Sequence, residues 1–219
     1  MVNNVRGDFM KREEKNQLTR RRIMDSALAE FSKQGYGASS VNAICAAQDI
    51  SKGIIYHYFA AKDDLFLACV EECFVKLTEY LKQSVSRGSR NPRNQLEEYF
   101  SARSSFFKEN PVYQRIFCEA TITPPLHLRS EIQNIRSSFD SFNVQTLEKI
   151  LEPISLPPQI TKEEVIETFR QFQDFINARY AFADLSEEES KNLEEKRRKS
   201  LDILLYGVVE RSESFHGKE

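Results

Sequence analysis

Apolar residues recur at helical spacing along almost the whole chain. Between Leu18 and Phe31 they form one stripe of Leu18, Ile23, Ala27, Leu28 and Phe31, which predicts an amphipathic helix. Gly35-Tyr36-Gly37 predicts its stop, because glycine supplies the positive φ of a helix C-cap. Ser39 or Ser40 is placed to cap a short second helix with Val41, Ile44 and Ala47 on one face. Asp49-Ile50-Ser51 predicts a tight break, with Ser51 capping a third short helix that ends near Phe59. After Ala60-Ala61 a long helix is predicted from about Lys62 to Ser84. Leu65, Cys69, Val70, Cys73, Phe74, Leu77 and Leu81 recur along it.

The segment from Ser86 to Pro92 reads as a linker by its Ser, Gly, Arg and Pro content. Further helices are predicted near 93–109, 111–120, 126–152, 161–183 and 186–213, separated by Pro124-Pro125 and by Pro153 with Pro157-Pro158. Capping boxes stand at two of these starts, Thr161 with Glu164 and Ser186 with Glu189. No internal repeat or low-complexity tract interrupts the pattern. The expected fold is all-α, about nine helices in two parts.

Composition supports this picture. Only seven Gly and seven Pro in 219 residues favour long helices over many short strands. Hydrophobic residues at 40%, including 16 Phe, suffice for a packed core, while charged residues at 29% keep the outside wet. No apolar run approaches the roughly 18 residues that a membrane-spanning helix needs. The first fifteen residues have no apolar stretch after their charges, so no secretory signal and no membrane partner are expected. The four Cys include no CxxC pair, which points to a reduced, cytoplasmic setting.

Charge adds a direction. The net charge is −2, yet residues 1–62 hold ten Lys and Arg against six Asp and Glu. A basic N-terminal part on an otherwise acidic chain suggests that this end meets a polyanion. Three short helices, the second and third joined by a tight turn, describe a helix-turn-helix. Its last helix must protrude far enough to enter a major groove roughly 12 Å wide. In Ser51-Lys-Gly-Ile-Ile-Tyr-His-Tyr-Phe59, Ile55 and Phe59 can point into a small core with Phe31 and Ile44. Lys52, Ile54, Tyr56, His57 and Tyr58 are left for other surfaces, where their donors fit phosphate and base-edge contacts. The competing reading is that Tyr56 and Tyr58 only finish a helical core with wet hydroxyls.

The run Arg22-Ile-Met-Asp-Ser-Ala27 to Phe31, then Gly35-Tyr36-Gly37-Ala38-Ser39-Ser40-Val41, resembles the N-terminal domain of TetR-family repressors. Ser51 to Phe59, followed by Lys62-Asp-Asp-Leu65, is similar to that family's third helix and its entry into the fourth. The resemblance covers about residues 17–77 without a gap; the remainder matches only in helix number and length. It implies a basic N-terminal arm (1–16), a helix-turn-helix domain (17–77) and an effector-binding and dimerisation domain (78–219). It also implies DNA contacts from Tyr56, His57 and Tyr58, with Ser51 opening the recognition helix. Lys62 falls at the family's phosphate-contacting lysine, beside the amides of a helix N-terminus. Ser39, Ser40 and Val41 match the start of helix two that anchors the DNA backbone. Lys52, Gly53 and Ile54 fall where bases are read: Lys52 could donate to guanine O6 and N7, and Gly53 permits close approach. Ile54 replaces a polar or small residue, which suggests contact with a thymine methyl.

The later helices are rich in aromatic residues, which pack a core or wall an apolar cavity equally well. The resemblance implies a cavity for a small apolar or aromatic effector. Its expected wall is Cys73, Leu77, Phe100, Phe107, Phe117, Phe139, Phe142, Phe172 and Phe175, with Arg103, Arg179 and Glu119 to orient a ligand. Cys69, Cys73 and Cys118 could meet as a thiol sensor, but buried free Cys is commoner. His127 and His216 have no metal-ligand spacing around them, and no metal or cofactor is expected. With no GxSxG, HExxH or phosphate loop, an enzyme is not expected either. The last two helices, with Phe172, Phe175, Ile176, Leu193, Leu201, Ile203, Leu204, Leu205 and Val208, hold more apolar surface than a bundle edge should expose. They are expected to form a homodimer, and the dimer to bind a palindromic operator in double-stranded DNA as a ligand-responsive repressor. The rival is an all-α ligand-binding or scaffold protein without DNA-binding activity.

Overall fold

A computed structural model describes residues 2–85 and 92–180, with a few isolated positions between 192 and 203. The helices are α1 (Val2–Ala38), α2 (Val41–Ala47), α3 (Lys52–Tyr58), α4 (Lys62–Val85) and α5 (Pro92–Glu109). They continue with α6 (Val112–Thr121), a 3-10 turn (Leu126–Leu128), α7 (Arg129–Leu151) and α8 (Lys162–Tyr180). The all-α expectation holds, with eight α-helices and no strand among the described residues. The helix expected near 186–213, its capping box, and most of the 86–92 linker lie outside the described residues. The chain divides into two compact units, Met1–Ala181 and Phe182–Glu219, and all eight helices belong to the first.

The first helix starts earlier than its apolar stripe, at Val2. The residues just before the stripe, Lys11-Arg-Glu-Glu-Lys15 and Gln17, are good helix formers that extend the helix without a core face. Gly35 breaks the helix with φ 77° and ψ 167°. Ser40 caps α2 by accepting from Ala43 N, and Ser51 caps α3 by accepting from Ile54 N. Between them Asp49 takes a left-handed φ of 51°, the single non-glycine case among the described residues. Thr161 and Glu164 form the expected reciprocal box at α8: Thr161 N donates to Glu164 Oε2 at 2.9 Å and Glu164 N to Thr161 Oγ1 at 3.2 Å.

The α4 helix is the axis of the first unit and packs on α1, α5, α6 and α7. Its Leu65, Phe66, Cys69, Val70, Cys73, Leu77 and Leu81 are fully buried. The expected domain boundary near residue 77 thus falls inside one continuous helix. Toward the N-terminal end, Ile23, Ala27, Phe31, Ile44, Ile55 and Phe59 are buried. Toward the other end Phe74, Phe106, Phe107, Phe117 and Phe139 pack ring against ring at centroid distances of 5.1–6.0 Å. No described helix is long and apolar enough to cross a membrane.

Candidate nucleic-acid interface

Two hydrogen bonds lock α2 against α1 before α3 is placed. Buried Ser26 Oγ donates to Ile44 O at 2.7 Å, and Arg22 Nη2 reaches Gln48 O at 3.0 Å. On that platform α3 turns Ile55 and Phe59 inward, and Phe59 N closes the helix by donating to Ile55 O. The opposite surface carries Lys52, Gly53, Ile54, Tyr56 and His57, all exposed. Ile54 and Tyr56 stand 43% and 45% open, an unusual exposure for an apolar and an aromatic residue on one small helix. Lys52 Nζ lies 5.8 Å from the Tyr56 ring. Nothing lies within 4 Å of where a Gly53 Cβ would stand, so the fold itself does not require glycine there. The space it leaves is open to an incoming surface.

The other expected contact residues divide. Ser40 is exposed beside this surface, and its hydroxyl holds the α2 cap. Ser51 does the same for α3. Ser39 is buried instead, its hydroxyl donating to Gly35 O at 2.6 Å, and Val41 is buried in the core. Neither side chain reaches the α3 surface, because both are spent on the turn between α1 and α2. Tyr58 is half-buried and donates to Asn16 Oδ1 at 3.3 Å. Lys62 is half-buried as well. Its ammonium donates to Tyr36 O at 2.8 Å and Ser39 O at 3.2 Å, and lies 4.2 Å from the Tyr36 ring centroid. Two of its three N–H bonds therefore cap the carbonyls at the end of α1.

That end of α1 is also gripped from the far side. Arg115 on α6 donates to Lys33 O at 2.8 Å and Gln34 O at 3.2 Å, while Glu119 Oε2 accepts Tyr36 N at 2.9 Å. Tyr36 Oη donates to Asp63 Oδ1 at 2.5 Å, and His127 Nε2 lies 3.1 Å from Tyr36 Oη and 3.2 Å from Asp63 Oδ2. Burial and the Asp63 carboxylate push the Tyr36 phenol up to about 12. Further along α4, Glu72 accepts from Arg21 at 2.7 Å and from the Tyr113 hydroxyl at 2.5 Å. Burial opposes the ionisation of Glu72, but these two bonds outweigh it and hold its carboxyl below the ordinary range. Sequence reasoning missed this junction. Its partners stand up to 91 positions apart, and an i,i+4 pair such as Arg115 and Glu119 looks like any solvated helix pair.

Of the expected effector wall, Cys73, Leu77, Phe100, Phe107, Phe117 and Phe139 are buried. Arg103 is buried between the Phe117 and Phe139 rings, 5.2 and 5.0 Å from their centroids. Phe142 and Phe172 are half-buried, Phe175 is 60% exposed, and the Arg179 side chain lies outside the described residues. Glu119 belongs to the α1 junction rather than to a ligand wall. Burial pushes the Cys69, Cys73 and Cys118 thiols up, Cys118 to about 12, which keeps them protonated. Open space of about 400 Å³ lies elsewhere, between the end of α6, α7 and α8.

Comparison with known proteins gives this geometry relatives. Residues 23–69 match the family described as bacterial regulatory proteins, tetR family. The chain is similar to the HTH-type transcriptional repressor KstR of Mycobacterium tuberculosis, 25% identical over 122 residues, 56% of this chain and 55% of that protein. It is also similar to the HTH-type transcriptional regulator UidR of Escherichia coli, 41% identical over 54 residues, 25% of this chain and 28% of that one. The chain spans about half the length of the first curated relatives it matches. Among solved structures, FadR from Bacillus subtilis in complex with stearoyl-CoA superposes with a TM-score of 0.69 at 17% identity. That match covers 86% of this chain and 98% of FadR, and establishes a shared fold.

Proposed function

We propose that this chain, whose residues 23–69 match the tetR family of bacterial regulatory proteins, is a sequence-specific DNA-binding regulator, a repressor released by an effector and working in the cytoplasm. The observation that carries this reading is α3. It is capped at both ends and pinned by Ile55 and Phe59, and it presents Lys52, Gly53, Ile54, Tyr56 and His57 together. Lys52 and Ile54 read base edges, while Tyr56, His57 and the exposed Ser40 meet phosphates. Lys62 keeps its third N–H for a phosphate while the other two hold the turn that orients α2.

One recognition helix reads only a few base pairs, so the reading requires a homodimer on a two-fold site with half-sites about 34–36 Å apart. Phe175 on α8 and Ile203, exposed at 60% and 53%, support an interface formed by the last helices. Effector control is read through two elements that join the α3 platform to the rest of the first unit. One is α4, which begins at Lys62 and continues past Leu77; the other is α6, through Arg115 and Glu119. A ligand that shifts either one moves α3, and coupling of about 1–3 kcal/mol is the usual scale. FadR's own ligand, stearoyl-CoA, supports an apolar effector body here.

The test is a duplex titration in increasing salt. Wild type should bind duplex DNA with affinity that falls steeply with salt, and Lys52→Ala should relax base preference at one position per half-site by about 1–3 kcal/mol. Unchanged binding of both specific and random duplexes by Lys52→Ala and Tyr56→Ala would overturn the assignment of α3.

A further inference from the structure

The open space between the end of α6, α7 and α8 differs from the apolar chamber that the aromatic residues suggest. Its volume of about 400 Å³ suits a small organic molecule. Arg129, Arg136 and Arg170 line it, against a single carboxylate, Asp140. Arg136 spends Nε and Nη2 on Asp140, at 2.9 and 3.1 Å, one bond to each carboxylate oxygen. Arg170 pairs with Glu167, an exposed neighbour at 3.3 Å on its own helix, and shares the narrow space behind Arg136 with Asp174. Arg129 stands at the start of α7 and has no ion pair among the described residues. A structural salt-bridge cluster would balance its charges. Counting Arg103 and Asp174, which line the narrower space behind Arg136, four guanidinium groups face two carboxylates, and the site is concave, so its field is focused inward.

The rest of the lining shows what shape of anion fits. Ile122, Pro124 and Ile132 supply an apolar floor, and Thr121 and Gln133 supply polar groups beside the arginines. Behind Arg136 the space narrows to about 10 Å³ against Arg103 and Asn143, room for a single water. We propose that this cavity binds an amphipathic organic acid, its carboxylate or phosphate held by Arg129, Arg136 and Arg170 and its apolar part lying on Ile122, Pro124 and Ile132. The arginine fork matches both oxyanions in bidentate geometry, which is why the two share one site.

The site also has a route to α3. Ala120, Thr121 and Ile122 form its α6 wall, and the residue before them, Glu119, accepts the Tyr36 N–H at the end of α1. The naming of this ligand as the effector rests on the regulatory reading above; its binding does not.

The experiment is isothermal titration of the full chain, without DNA, using 3-phenylpropionate, phenyl phosphate and the neutral 3-phenylpropanamide. Both acids should bind and the amide should not, and the tighter acid identifies the headgroup. Arg129→Gln and Arg170→Gln, the first exposed and the second half-buried, should each weaken the acids about tenfold without changing the melting temperature of the free protein. Asp140→Asn releases Arg136 from its partner and should tighten the acids, a gain that general damage to the fold would not produce. Equal binding of acid and amide, no binding of either acid, or affinities indifferent to all three substitutions would overturn the proposal. Intact acid binding with no duplex binding would remove the regulator and keep the site, and the converse result would do the reverse.

Discussion

Replacing Gly35 by alanine should cost more than any other single-methyl addition at the turn after α1. Gly35 sits at φ 77° and ψ 167°, a region that residues with a Cβ enter at a cost of about 1–3 kcal/mol. The new methyl would also stand 2.2 Å from Glu119 Oε1 and 2.9 Å from Arg115 Nη2. Both are ends of flexible side chains, so they would swing aside rather than force the backbone apart. In swinging they release Tyr36 N and the carbonyls of Lys33 and Gln34, at about 1 kcal/mol for each hydrogen bond lost. The expected total is about 4–6 kcal/mol, read from urea unfolding at pH 7. Gly37→Ala is the matched control, since nothing lies within 4 Å of its Cβ and its φ is not positive. It should leave the midpoint within about 0.5 kcal/mol of wild type, or raise it. Equal effects of the two substitutions would refute the reasoning, because the same methyl would then cost the same with and without the grip of α6.

Two further predictions concern the same junction. Glu72 has a lowered folded-state pKa, so its contribution is present above the unfolded carboxylate value and is lost as pH falls through the folded one. Glu72→Gln should therefore cost about 1–3 kcal/mol at pH 7, and its midpoint should converge on wild type as pH drops below 4.5; a gap that persists at lower pH would contradict the assignment. Lys62→Met keeps the aliphatic stem but removes the donors to Tyr36 O and Ser39 O. It should lower the urea midpoint and weaken specific and random duplexes alike, with a salt slope reduced by about 1; an unchanged slope would remove Lys62 from the phosphate contacts.

The parts of this molecule that were legible in the sequence are those set by local chemistry. Ser40, Ser51 and the Thr161–Glu164 box cap where their spacing to the next backbone N–H says they should. Gly35 breaks α1 for the reason its residue type suggests, and the apolar stripe of α4 marks its buried face. What failed to show was set by partners far along the chain. Ser39 looks like a surface hydroxyl until Gly35 O claims it, and Lys62 looks like a free cation until the turn folds beneath it. The aromatic residues of α5, α6 and α7 fit a chamber and a packed core equally well by composition. The structure packs these rings against one another, and it shows an arginine-lined space between α6, α7 and α8 that aromatic counting cannot find. The resemblance implies a basic arm over the first sixteen residues, whereas α1 extends back to Val2.

The central claim is that α3 reads DNA as one of a two-fold pair, and selection from a random duplex library tests it most directly. The purified full chain is incubated with the library at physiological salt, the bound duplexes are recovered, and the enriched sequences are read. The account predicts enrichment of an inverted repeat whose half-sites lie about one helical turn, or a multiple of it, apart. It also predicts that Lys52→Ala loses preference at symmetric positions in both halves while Tyr56→Ala weakens recovery of every sequence. Recovery of random sequence with no symmetric enrichment, or enrichment indifferent to both substitutions, would contradict it.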